Sequence, residues 1–161
     1  GEHTFMLVSQ FSFGYRMHGA QLCGAKNDTS VSRDHVVIQR MVDRYGLARM
    51  FPDLYRGGQS NAEVAAELRL ANVFHERRGP EQGDAAFGRA VEELRKTSAY
   101  SQVLEEEAVK LLYQIALSDR RRFRSYARAL RDLWPRSPAM RKQRILSHLP
   151  LAVHKFLRRK Q

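Results

Sequence analysis

The sequence predicts a mainly α protein, an N-terminal strand followed by six or seven helices stacked as antiparallel hairpins. Three observations lead there. Apolar residues recur every three or four positions through most of residues 32–161, and start and stop residues for helices fall between the periodic runs. Only residues 5–15, FMLVSQFSFGY, have the uncharged composition rich in Phe, Val and Tyr that suits a strand. The chain divides accordingly into 1–31, a terminal strand and loop, and 32–161, a helical region.

At 161 residues the chain suits one domain with a proper core. One strand cannot form a sheet, so its partners are a second short strand in the loops or strands outside this chain. The opening Gly1-Glu2-His3-Thr4 is unlike a natural start and reads as a cut or engineered end. No apolar run approaches the ~20 residues needed to cross a bilayer. Cys23 is the only cysteine, which excludes an internal disulfide and argues for a reducing, cytoplasmic compartment. The net charge of +11, carried mostly by Arg, favours acidic partners, among them nucleic acid, anionic lipid and sugar nucleotides.

The strand stops at Tyr15-Arg16-Met17-His18-Gly19, and residues 19–34 are small, polar and turn-prone. Ser32 or Asp34 caps the next helix, in which Val37, Met41 and Tyr45 recur with Ile38 and Val42 beside them until Gly46 stops it. A break at 51–58 leads to Ser60-Asn61-Ala62-Glu63, a capping box opening a stripe of Val64, Leu68, Ala71 and Phe74. Gly79-Pro80 ends that helix, and Asp84 opens another with Phe87, Ala90, Val91 and Leu94 on one face.

A helix from about 101 to 117 follows, with Leu104, Ala108, Leu111, Leu112 and Ile115 as its core face. Glu105, Glu106 and Glu107 suit the dipole of its first turns. Ser118-Asp119 caps the next helix, whose Phe123, Tyr126, Leu130 and Trp134 form a stripe before Pro135. Ser137-Pro138 opens a segment with Ile145, Leu146 and Leu149, and Pro150 divides it from a last run to Leu157.

Leu70, Ala71, Phe74, Gly83, Phe87 and Ala90 fall at the small and aromatic positions of a degenerate tetratricopeptide unit, which this pair of helices resembles. The likeness covers about one repeat and lacks the closing Pro.

Arg16 and His18, two residues apart at a strand end, point to one side of the strand. Arg offers a planar fork for oxyanions and neutral His is a common metal ligand; the plainer reading is an exposed strand end meeting water. Tyr15-Arg16-Met17-His18-Gly19-Ala20-Gln21 resembles the Tyr-Arg-x-His-x-x-Asn segment near the end of the catalytic domain in family 2 glycosyltransferases, including rhamnosyltransferase-like members. The resemblance implies that 1–31 is the terminal strand and loop of a GT-A catalytic domain, with Arg16 and His18 at the donor diphosphate or a divalent metal, Mg or Mn. Tyr15 is then the supporting aromatic, and Gln21 stands where the family has Asn. It also implies that the nucleotide-binding half, the Asp-x-Asp motif and the catalytic base precede residue 5. The chain alone would then be inactive, meeting nucleotide-sugar and acceptor only through that half.

Arg120, Arg121, Arg122 and Arg124, enlarged by Arg128, Arg131, Arg141, Lys142 and Arg144, form a basic cluster near Phe123 and Tyr126. Cations interleaved with stacking rings suit single-stranded nucleic acid. At helical spacing, however, the aromatics belong to the core stripe and the arginines to a solvated side, so nucleic acid is not favoured. Residues 140–160 are basic and amphipathic; they form a packed last helix with a frayed end, or lie peripherally on the inner face of a membrane with Arg158, Arg159 and Lys160 near headgroups. His35, His75, His148 and His154 are scattered without zinc-ligand spacing. Two functions follow: the C-terminal region of a glycosyltransferase, or a basic helical module for protein partners, RNA or an anionic membrane surface.

Overall fold

A computed structural model describes residues 34–77 and 79–148, the side chains of Leu117, Arg144, Ser147 and His148 excepted. The strand expected at 5–15, the site residues Tyr15, Arg16 and His18, the run after Pro150 and the basic end Arg158, Arg159 and Lys160 lie outside the described residues.

The described chain is mainly α, with eight helices and no strand among the described residues. They are α1 (Asp34–Tyr45), α2 (Leu47–Met50), α3 (Pro52–Tyr55), α4 (Ala62–Glu76), α5 (Pro80–Thr97), α6 (Gln102–Ser118), α7 (Arg120–Leu133) and α8 (Pro138–His148). The break expected around 51–58 therefore carries a helical turn, α3, and α2 precedes it. Pro52 sits at the first position of α3, where its fixed φ suits a helix start.

Helix α4 packs along both α5 and α6, while α7 packs on α6 and α8; α5 reaches α7, and α6 reaches α8. The stripes read from the sequence supply this core. Val64, Leu68, Ala71 and Phe74 of α4, Phe87, Ala90, Val91 and Leu94 of α5, and Leu104, Ala108, Leu111, Leu112 and Ile115 of α6 are all buried. So are Phe123, Tyr126, Leu130 and Trp134 at and after α7. Small residues set the closest approach, since a Cβ added to Gly83 would lie 2.6 Å from the His75 ring of α4.

Gly46, at φ 76°, stops α1 as expected, with its N–H on the Val42 carbonyl. Ser101 caps α6 by accepting from the Leu104 N–H, and Ser137 caps α8 by accepting from the Met140 N–H.

Four expectations are corrected. The capping box at Ser60 and Glu63 does not form: Asn61, left-handed at φ 64°, is the cap residue and makes no side-chain cap, which leaves Ser60 one position too early. Asp84 does not open α5, because Pro80 at the first helical position does so one turn earlier. The stripe Val37, Met41 and Tyr45 of α1 faces outward, with Val37 55% exposed, because Ile38 and Val42 take the inward side. Ile145 of α8 is likewise exposed, at 64%, while Leu146 beside it is buried.

Glu105 lies in the first turn of α6 as expected, and both it and Glu107 also act across helices. The Ser137 hydroxyl donates to Glu105, which ties the start of α8 to α6. Glu107 is only 3% exposed. Arg69 of α4 grips it through Nε and Nη2 at 3.0 and 2.8 Å, and Lys110 adds a bond of 2.7 Å. Arg69 Nη1 also reaches Asp53 of α3 at 2.6 Å. Burial works to raise the pKa of Glu107; the Arg69 fork and Lys110 outweigh it and hold the carboxyl below its ordinary value.

Removing one partner of a buried pair leaves an uncompensated charge, whereas an exposed pair is screened. Glu107→Ala is expected to lower unfolding free energy by about 3 kcal/mol, and Asp53→Ala by under about 1 kcal/mol. Urea unfolding followed by circular dichroism measures both, and equal losses would contradict this ranking.

Candidate functional site

Between residues 120 and 144 the chain has ten Arg or Lys and a single carboxylate, Asp132. That stretch is α7, its turn and most of α8, and it holds the densest positive charge of the described residues. Asp119 starts it, accepting at Oδ1 from the Arg121 and Arg122 N–H groups at 2.9 and 3.0 Å. Phe123, Tyr126, Ala127 and Leu130, spaced three and four apart, turn one side of α7 into the core.

Arg122 differs from its neighbours. It lies on the flank of α7 that meets α5, where its Nε is 3.1 and 3.0 Å from the two oxygens of Asp84. Its Nη1 returns to Asp119 Oδ2 at 2.8 Å. Arg122 remains about a third exposed, at 32%, but two carboxylates pair its charge.

The Tyr126 hydroxyl donates to the same Asp84 at 2.5 Å, and the Phe87 ring stacks on Tyr126 at 3.5 Å between centroids. His75 Nε2 lies 3.1 Å from the Tyr126 oxygen. A phenol has one proton, and here it goes to Asp84; the proton between Tyr126 and His75 is therefore assigned to Nε2, with His75 as donor.

Burial, reinforced by the hydrogen bond to Asp84, pushes the Tyr126 hydroxyl above its ordinary pKa. Burial also lowers the pKa of His75, outweighing the attraction of Asp84 at 3.8 Å. The group clamps α7 against α4 and α5. With Arg122 fixed on the flank that meets α5, the other side of the helix turns its cations to water.

Arg121, Arg124 and Arg128 are exposed, as are Arg136, Arg141 and Lys142 beyond the turn; Arg120 is half-buried. Arg131 bonds the adjacent Asp132 at 2.5 Å. Among the described residues no ion pair engages Arg121, Arg128, Arg136 or Lys142. The aromatics of this stretch are in the core, and the Trp134 indole N–H donates to the Ala99 carbonyl at 2.9 Å.

A cleft of about 460 Å³ lies between α4 and α5, lined by Glu63, Glu67, Arg89, Glu93, Asn61 and Thr97 among others. Arg89 closes a two-pronged bond on Glu67 there at 3.0 and 2.8 Å. Among the described residues no three His, Cys, Asp or Glu side chains converge as a metal site.

Sequence reasoning found the basic stretch and missed the clamp. The available signal was Tyr126 itself, since a tyrosine on a core stripe needs a polar partner for its hydroxyl. Nothing in the chain order points to Asp84, 42 positions away.

Comparison with protein-family models, curated proteins and solved structures returned no match.

Because burial lowers the pKa of His75 in the folded state, the unfolded chain binds the extra proton as pH falls below the ordinary value of 6.5. Stability contributed by neutral His75 is present above that pH and is lost below it. Urea midpoints from neutral to mildly acidic pH should decline, and His75→Gln should flatten the slope; an unchanged slope would refute the assignment. Gly83→Ala drives a methyl into the His75 ring and is expected to cost about 1–3 kcal/mol, read from the same midpoints. A neutral result would mean that the ring moves freely.

Proposed function

We propose that this chain is the C-terminal region of a sugar-nucleotide-dependent glycosyltransferase of family 2. The observation that carries the reading is the segment Tyr15-Arg16-Met17-His18-Gly19-Ala20-Gln21, with Arg16 and His18 as contacts of the donor diphosphate and Tyr15 supporting them. The helix next along the described chain adds support. Helix α1 holds the helical unit through Ile38 and Val42 and exposes Val37, Met41 and Tyr45 on its other side. A helix with apolar residues on both sides has a second surface to bury, and a catalytic domain immediately upstream supplies one.

In this reading the catalytic half lies upstream, and residues 34–148 are an accessory unit that packs on it. The divalent metal, Mg or Mn, neutralises the leaving diphosphate when bound. His18 and the upstream acidic motif would hold it, and no described residue is assigned to it. The enzyme acts in the cytoplasm, at the inner face of the membrane when its acceptor is lipid-linked.

A second reading, a free-standing basic helical module for RNA, protein partners or an anionic surface, is favoured by the charge of α7 and α8. The size of the native polypeptide separates the two. An immunoblot of source cells should give a band well above 18.6 kDa, and a band at that mass overturns the glycosyltransferase reading. In the native-length protein Arg16→Ala is expected to lower sugar transfer about a hundredfold, and unchanged transfer would remove Arg16 from the donor site.

A further inference from the structure

We propose that the outer sides of α7 and α8 form a docking surface for an anionic phospholipid bilayer. Arg121, Arg128, Arg136, Arg141 and Lys142 meet the headgroups, and Ile145 lies at the acyl boundary. The proposal goes beyond the glycosyltransferase reading and does not depend on it.

Three observations select this partner. The first is charge complementarity: the five cations are exposed, and Asp132, the one carboxylate of the stretch, is taken by Arg131. Cations on exposed helix sides follow a charged plane without needing a shaped pocket. The second is Ile145, 64% exposed between Arg141 and Lys142 on one side and buried Leu146 on the other. An apolar side chain flanked by cations is costly in water and fits the level at which headgroups give way to acyl chains.

The third observation separates lipid from nucleic acid. Binding to a single strand uses aromatic rings on which bases stack, interleaved with the cations. Here Phe123, Tyr126 and Trp134 are the rings in the basic stretch, and all three are buried. Among the described residues no helix is long and apolar enough to cross a bilayer, so the contact proposed is with its surface.

The test is co-sedimentation of the full chain with phosphatidylcholine vesicles, with and without phosphatidylserine. Binding is expected to the phosphatidylserine vesicles and to fall steeply with added salt. Each exposed cation removed should lower partitioning about fivefold, so Arg121→Gln, Arg128→Gln and Arg141→Gln together should lower it about a hundredfold. Arg158, Arg159 and Lys160 are unchanged in that variant, which keeps the reading on α7 and α8. Ile145→Ser should weaken binding while leaving its salt dependence unchanged. An unchanged circular dichroism spectrum verifies folding, and a misfolded triple variant is replaced by the single Arg128→Gln, with its fivefold loss. Equal binding to neutral vesicles, full binding by the folded variant, or binding to RNA but not to vesicles would each overturn the proposal. Sugar transfer is measured separately, so failure of one claim does not touch the other.

Discussion

The carboxylate of Asp84 determines how α7 is turned. It takes the Arg122 guanidinium on both oxygens and the Tyr126 hydroxyl on one, so two residues one helical turn apart on α7 are fixed to a single point on α5. A turn of the helix by one residue, about 100°, would break both bonds and bring cations toward the core. Burial of Phe123, Ala127 and Leu130 supplies the driving force for packing, and that force is not directional. The clamp is partly open to water, so its energy is modest. Its contribution is orientation: it gives the apolar stripe one preferred setting.

The same arrangement explains why positive charge remains on one end of the described chain. The carboxylates of the earlier helices are largely committed to partners inside the fold. Glu107 holds Arg69 and Lys110, Glu67 holds Arg89, and Asp84 holds Arg122. Only Asp132 remains within the basic stretch, and it serves its neighbour. The charge of α7 and α8 is therefore a property of how the acids are distributed in three dimensions as well as of composition.

Much of the helical part was legible in the sequence because its cues are local. Periodic apolar residues located the core stripes of α4, α5, α6 and α7, and Ser101, Asp119 and Ser137 marked helix starts with their own side chains. Where two local cues compete, the sequence does not show which one prevails. Pro80 begins α5 after α4 has already stopped at Glu76, and Ser60 has the chemistry of a cap but not the position. The outward turn of Val37 and Met41 was not legible, since α1 has two apolar sides and periodicity does not choose between them. The clamp was hidden for a different reason: its members come from three helices, and no spacing rule links positions 75, 84, 122 and 126.

Trp134 is the only tryptophan, and it is buried just after α7 against the link between α5 and α6. Its indole N–H bonds the Ala99 carbonyl in the link after α5, and Tyr100 meets the ring edge-on at 5.8 Å. Its near-ultraviolet signal and emission colour therefore report that seam rather than the protein as a whole. Were the end of α7 to part from that link, the indole would enter water while the helices were still wound, giving the molecule a built-in optical marker of that local opening.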